Sequence, residues 1–184
     1  FYADPFVFSH GDTTALLVED YPHATGKAVI SVATLNGRSF NTPRPVLEEP
    51  FHLSYPQVFA RDGEIWMIPE SVGARSVLLY RAQRFPDRWV REAPLIPDRE
   101  LSDATLLDHG GRLWLFATDR DGEGSTSDTL VVYWAERLTG PWTPHRQNPI
   151  RIDRRSARPG GGFVRAGEGL VLPVQDGTLG YGGG

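Results

Sequence analysis

The chain has 184 residues, of which 40% are hydrophobic and 11% aromatic, and a formal net charge of -4. That length and composition suit one folded domain with a buried core and exclude a disordered chain. The acidic balance argues against a nucleic-acid or anionic-membrane surface, the absence of cysteine removes disulfides and thiolate metal sites, and no apolar run approaches the ~18 residues a membrane span needs.

Taken in chain order, the sequence reads as short strands separated by turns. Asp4-Pro5-Phe6-Val7-Phe8 is a first strand, Ser9 to Asp12 a turn and Thr13 to Val18 a second strand ending in Glu19-Asp20-Tyr21. Lys27 to Ala33, rich in β-branched residues, is a third strand. Asn36-Gly37 signals a hairpin, and Arg44 to Glu48, with its proline, suits an outer edge. The same script then repeats. Gln57-Val58-Phe59, the turn Arg61 to Glu64, Ile65 to Pro69 ending at Glu70, Ser76 to Ala82, and Trp89 to Glu92 form a second set. A third runs through Thr105-Leu106-Leu107, the turn His109-Gly110-Gly111, Leu113 to Ala117, a Gly- and Ser-rich loop from Asp121 to Asp128, Leu130 to Trp134, and a fourth strand near His145. A fourth starts at Arg158, with Phe163-Val164-Arg165 and Leu170 to Val174, before a Gly-rich end at Gly184.

Each set opens on a small residue, a polar one, usually a proline, and an apolar run. These heads carry Asp4, Tyr55, Asp103 and Arg158, spaced 51, 48 and 55 residues apart. Four short strands in a unit of about fifty residues predict β-propeller blades, and no long stretch has helical periodicity. The expected architecture is all-β: a β-propeller with four-stranded antiparallel blades of the five-bladed type, over about residues 1–50, 51–98 and 99–152, with a partial fourth blade at about 153–184. Three and a half blades do not close a ring, and the chain starts at Phe1 rather than Met. The expectation is therefore a piece of a longer protein with a fifth blade.

In a propeller the first strand of each blade lines the central channel. The heads then turn Asp4, Tyr55, Asp103 and Arg158 toward one mouth. Carboxylates facing across a pocket are what glycosidic chemistry uses, as base, nucleophile or acid. An Asp before Pro is equally a turn-former at a strand entry. A second set sits at the ends of the second strands: Glu19 and Asp20, Glu70, Asp119, and Gln175 with Asp176. Glu70, between Pro69 and an apolar strand, is the candidate proton donor. His52, just before a channel strand, is a candidate ligand contact. His10 and His109 fall in equivalent turns and read as solvated. Trp66 with Trp114, and Trp89 with Trp142, are equivalent pairs, which points to packing between blades. Arg158-Pro159-Gly160-Gly161-Gly162 suits an anion, but is no phosphate loop. No His–carboxylate set has metal-ligand spacing, and no cofactor is expected.

Ala3-Asp4-Pro5-Phe6 with Glu19-Asp20-Tyr21, His52-Leu53-Ser54-Tyr55-Pro56, Ile68-Pro69-Glu70, Asp103 to Leu107, Gly140-Pro141-Trp142 and Ala157-Arg158-Pro159-Gly160 resemble the propeller domain at the N-terminal side of plant glucosamine inositolphosphorylceramide transferase and its bacterial relatives. That group in turn resembles the five-bladed propellers of glycoside hydrolase family 43. The resemblance implies a blade-one Asp as general base, here Asp4, and a blade-three Asp that tunes and orients, here Asp103. Its acid is a Glu at the fourth head, where this chain has Arg158. Glu70 is then the substitute acid, with Glu19 second, and Glu19, His52, Tyr55 and Arg158 bind substrate. Two functions follow: a glycoside hydrolase-like enzyme with Asp4, Asp103 and Glu70 at the channel mouth, or a non-catalytic carbohydrate-binding or scaffold propeller attached to a glycosyl or formyl transferase. The expected partner is a carbohydrate or glycoconjugate, and the expected compartment the bacterial cytoplasm.

Overall fold

The structure is a computed structural model that describes residues 1–121 and 127–180. Most of the Asp121 to Asp128 loop and the Gly-rich end at Gly184 lie outside the described residues. The rest is β-structure joined by turns, with two 3-10 turns at Val72–Ala74 and Gly177–Leu179.

Strands β1 (Tyr2–His10), β2 (Thr13–Asp20), β3 (Val29–Asn36), β4 (Ser39–Phe40) and β5 (Arg44–Leu47) form the first antiparallel sheet. Both short outer strands pair with β3, β4 across a tight hairpin and β5 along its first half. A second sheet runs β6 (Ser54–Arg61), β7 (Glu64–Glu70), β8 (Ser76–Arg84) and β9 (Arg88–Pro97) in order. A third follows with β10 (Leu101–His109), β11 (Arg112–Asp119), β12 (Thr129–Ala135), β13 (Thr143–Pro144) and β14 (Arg151–Ile152). The tight turns use the chemistry expected of two-residue hairpins. Asp62-Gly63 and Gly110-Gly111 both have positive φ at each residue, 53° and 79° in one and 62° and 74° in the other. Two ribbons complete the described chain: β15 (Arg158–Pro159) with β18 (Val174–Gln175), and β16 (Val164–Ala166) with β17 (Gly169–Val171).

Contacts divide the chain into two compact units, one of Phe1–Ala74 and Leu78–Ala93, the other of Arg75–Val77 and Pro94–Gly184. In the first, alternation along β2, β3, β7 and β8 turns Leu17, Ile30, Val32, Met67 and Tyr80 inward, all fully or almost fully buried. Leu53, Ile65, Leu78 and Trp89 complete that core, and β1 and β2 pack on β6. Burying a Leu- or Ile-sized side chain contributes roughly 1.5–3 kcal/mol, so this cluster holds the sheets that carry the heads. A partly buried network of hydrogen bond and ion pair lies at its edge. The Tyr80 hydroxyl donates to Glu49 at 2.7 Å and Arg91 pairs with the other oxygen of that carboxylate at 2.6 Å. In the second unit the buried faces of β10, β11 and β12 (Leu113, Leu115, Leu130, Val132) form the core, with β15 packed against β10 and β11.

The outer edge of the third sheet differs from the single strand expected near His145. It is broken into β13, pairing Tyr133 and Trp134, and β14, pairing Thr129 and Leu130. Pro144 and Pro149 lack the N–H a ladder needs. The Asn148 side chain fills the gap, accepting from Val132 N–H at 2.9 Å and donating to Val132 O at 2.8 Å.

Candidate functional site

The heads share one backbone device. Between Ala3↔Glu19 and Phe6↔Leu17 the register slips, so Asp4 and Pro5 oppose Val18 alone. The same slip sets Tyr55-Pro56 against Pro69 and Asp103-Ala104 against Ala117. In all three β-bulges the first residue is left-handed, with φ of 47° at Asp4, 46° at Tyr55 and 52° at Asp103. A non-glycine residue there is strained, Asp less than Tyr, and such strain persists only where surrounding contacts fix it. Arg158 does not adopt it.

In the first unit the bulges gather several of the expected residues. The Tyr55 N–H donates to Asp4 Oδ2 at 3.2 Å, so the second head caps the carboxylate of the first. The buried Tyr55 ring meets Phe6 edge-on, 5.0 Å between centroids. His52 Nε2 lies 3.2 Å from Glu19 Oε1, and its Nδ1 accepts from Ala28 N–H at 3.3 Å. The neutral ring therefore carries its proton on Nε2, aimed at Glu19. Leu53 N–H donates to Ala28 O at 3.2 Å, so the segment bearing His52 is pinned to the start of β3. The hydrogen bond to Glu19 raises the His52 pKa above its ordinary value, against the opposing effect of burial, and the negative charges of Glu19, Glu70 and Asp4 add to the rise. Glu19 is buried while about 41% of the His52 side chain is exposed. A chemically useful imidazole thus faces outward on a carboxylate base. Tyr21, whose ring lies 6.0 Å from His52, is a half-buried aromatic neighbour that the sequence reading did not single out. Asp20 accepts from Ser31 Oγ at 2.8 Å and is tied down there.

The second unit holds Asp103 and Arg158. Arg158 Nε donates to Asp103 Oδ2 at 2.5 Å, and Gln175 Nε2 donates to the same oxygen at 3.2 Å and to Pro159 O at 2.9 Å. Asp103 is 2% exposed and the Arg158 side chain 12%. This is a buried, charge-assisted pair with a side-chain amide beside it. Register also sharpens the second-strand set. Ala3 faces Glu19, Ser54 faces Glu70 and Ser102 faces Thr118. The third-sheet equivalent of Glu19 and Glu70 is therefore Thr118, whose hydroxyl donates to Ala157 O at 3.2 Å. Asp119 is one place further on, matches Asp20, and pairs with Arg99 at 2.6 Å. The structure brings Asp4, Glu19, His52, Tyr55 and Glu70 together in one unit and Asp103 with Arg158 in the other. His10 and His109 are exposed strand ends flanking the turns. Among the described residues no group of three or more His, Asp or Glu side chains is arranged to hold a metal ion, and no helix is long and apolar enough to cross a membrane.

Antiparallel four-stranded sheets entered through bulged first strands define an all-β propeller fold, and solved structures agree. A thermostable family-43 glycoside hydrolase matches with a TM-score of 0.64 over 92% of this chain and 64% of its own, at 15% identity. An exo-beta-1,3-galactanase from Clostridium thermocellum matches at 0.67 over 90% of this chain and 40% of its own, at 14% identity. Within that fold the chain belongs to a family: residues 1–183 match the model for the N-terminal part of glucosamine inositolphosphorylceramide transferase 1. The transferase of that name from Oryza sativa subsp. japonica is 38% identical over 99% of this chain, and that from Arabidopsis thaliana 37% over 88%. The chain spans about a quarter of the length of these relatives, 25% and 22%.

Proposed function

We propose that this chain is a carbohydrate-recognition propeller belonging to a larger glycosyl transferase, and that it binds an amino sugar or a hydroxyl-rich sugar head group without cleaving it. The observation that carries this reading is the Asp103–Arg158 pair. The hydrolase resemblance needs an open Asp103 and an acid at the fourth head. Here an arginine stands at that head, with its guanidinium on the Asp103 carboxylate at 2.5 Å. Hydrolysis by the family-43 route then lacks both its acid and a free orienting carboxylate. Binding needs neither. The Asp4, Glu19, Glu70 and His52 cluster is rich in acceptors, carries excess negative charge, and has Tyr21 beside it. Such a surface suits sugar hydroxyls and an ammonium group. The name of the relatives includes glucosamine, which fits the sign of that charge.

The test is calorimetric titration of the chain with glucosamine and with an oligosaccharide of glucosamine, beside their N-acetylated counterparts. Saturable binding that favours the free amine, and falls at least tenfold in Asp4→Asn and Glu19→Gln, is the expected result. The same preparations go onto a panel of aryl glycosides. Turnover that Asp4→Asn abolishes restores the hydrolase reading, for which the clustering of Asp4 and Glu70 near His52 is the favourable observation. Absence of saturable sugar binding overturns the recognition reading.

A further inference from the structure

The third sheet carries a second constellation, formed by residues that the cluster around His52 does not include. Trp114 on β11 and Trp134 on β12 are register partners. Arg112, two residues before Trp114, lays its guanidinium over the Trp134 ring, 4.6 Å from the centroid. The His145 ring lies 6.4 Å from that of Trp114. With Arg146 and Gln147 these residues line an open cleft of about 570 Å³ that has no acidic side chain in its wall. His145 Nδ1 accepts from Gln147 N–H at 3.3 Å, which leaves Nε2 as a donor. Among the described residues neither Arg112 nor Arg146 is paired with a carboxylate.

The repeat supplies an internal control. In the second sheet Trp66 donates its indole N–H to Arg61 O at 3.2 Å, as Trp114 does to His109 O at 3.2 Å. The two tryptophans thus sit in the same local frame. The register partner of Trp66 is Arg81, and Glu64 occupies the place of Arg112. Arg81 pairs with Glu64 at 3.8 Å and with Glu92 at 3.2 Å. The second sheet therefore neutralises its own charge, whereas the third has replaced the acid by an arginine and the arginine by a second indole. Packing alone does not require that exchange, because the second sheet packs without it.

We infer that the Trp114–Trp134 cleft binds a carbohydrate bearing an anionic group, a uronate carboxylate or a phosphate. Indole faces carry negative quadrupole charge and take the C–H face of a pyranose ring. The planar guanidinium of Arg112, held over one of them, matches a carboxylate or phosphate in two-pronged fashion. Arg146 adds a second cation and His145 an N–H donor. The charge preference is opposite to that of the acidic cluster around His52, so the two sites take different sugars and the inference does not rest on the function proposed above.

The experiment uses the whole chain, titrated at 50 mM and 300 mM salt by calorimetry and tryptophan fluorescence. The probes are a glucuronate-containing trisaccharide, glucose 6-phosphate, a neutral glucose trisaccharide and inorganic phosphate. At least one acidic sugar is expected to bind tenfold or more tighter than the neutral one, to quench tryptophan emission and to weaken severalfold at the higher salt. Which acidic probe does so separates carboxylate from phosphate recognition. Arg112→Glu combined with Trp134→Arg writes the second-sheet arrangement into the third, and is expected to lose that binding at least tenfold with thermal unfolding intact. Arg146→Gln, an exposed change, is expected to lose about threefold and serves if the double variant fails to fold. Equal affinity for neutral and acidic sugars, inorganic phosphate binding as tightly as sugar phosphate, undiminished binding in a folded double variant or in Arg146→Gln, or no binding by the native chain overturns the inference.

Discussion

Arg158→Met tests the reading of the fourth head most directly. Asp103 is 2% exposed, and Arg158 donates to it at 2.5 Å. Removing one partner of a buried ion pair typically costs about 3–5 kcal/mol, because the other charge stays desolvated. Gln175 retains one hydrogen bond to the carboxylate, and the Met stem replaces most of the apolar packing of the Arg stem. Both place the expected loss at the lower end, about 3 kcal/mol. Asp103→Asn is the complementary change, chosen because Asn tolerates the left-handed φ of 52° at this bulge. It removes the Asp103 charge from Arg158, but that side chain is 12% exposed and nearer to water, so about 1–2 kcal/mol is expected. The double variant removes both charges at once, and its cost is expected to be smaller than the two single losses together by about 2 kcal/mol. Urea unfolding followed by tryptophan fluorescence and far-ultraviolet dichroism measures all four proteins. An Arg158→Met loss below about 1 kcal/mol, or losses additive within about 0.5 kcal/mol, refutes the argument that this pair is a closed, buried unit and reopens Asp103 as a free carboxylate.

Four further outcomes are expected. The His52 pKa is raised in the folded state, so its contribution to stability is fully present below the unfolded value of about 6.5 and is lost as pH rises through the folded pKa; a His52→Gln chain is therefore expected to lose more stability near pH 5.5 than at pH 8, and an NMR titration of His52 in Glu19→Gln is expected to move back toward the ordinary value. Tyr80 is fully buried against the Glu49 carboxylate, and burial with that charge pushes its phenol above the usual tyrosine range; alkaline absorbance titration is expected to find it silent while exposed tyrosines ionise, and Tyr80→Phe to cost about 1.5 kcal/mol, since Arg91 still holds Glu49. Asp4→Asn keeps an oxygen for the Tyr55 N–H whereas Asp4→Ala does not, so sugar binding is expected to fall in both but stability to fall, by about 1 kcal/mol, mainly in the alanine variant. Tyr55→Ala removes a ring that is 2% exposed and packed edge-on against Phe6, with an expected cost of about 3–5 kcal/mol by analogy with other large core truncations.

The repeat heads were legible because a bulge entry needs a small residue, a head that tolerates strain and a proline, and those leave a mark in composition. What the heads do was not legible. Nothing in Tyr55 announces a φ of 46°; a bulky aromatic is a poor left-handed residue, and the contacts seen to hold it, its ring against Phe6 and its N–H on Asp4, come from another sheet. The acidic set at the second-strand ends was read one place out of register in the third sheet. Asp119 is the visible acid, but the bulge sets Thr118 opposite Ser102, and two adjacent candidates cannot be told apart before the pairing is known. The divided outer edge at Pro144 and Pro149 was hidden for a similar reason, since proline signals an edge without saying whether the edge continues. The Arg112–Trp134 stack was invisible as well, because its parts come from different strands and its meaning lies in the contrast with Glu64 and Arg81.

The bulges also bear on why aspartates occupy the first and third heads. In the first unit the backbone N–H of the following head donates to Asp4, and in the second unit the side chain of the following head donates to Asp103. In both cases a head carboxylate is the acceptor for the head that comes after it. A strand entry displaced by a bulge leaves its neighbour's donors without a regular ladder partner, and an acidic side chain on a left-handed residue reaches them. An Asp at these places therefore has a structural occupation that does not depend on catalysis. The same geometry served by a neutral donor, the Tyr55 N–H, leaves Asp4 partly exposed with its charge felt at His52, whereas the Arg158 cation closes Asp103 off. Equivalent heads thus arrive at opposite chemistry, an acidic surface in one unit and a neutralised pair in the other. The residue at the fourth head therefore decides whether the Asp103 carboxylate stands as a free charge or as half of an ion pair.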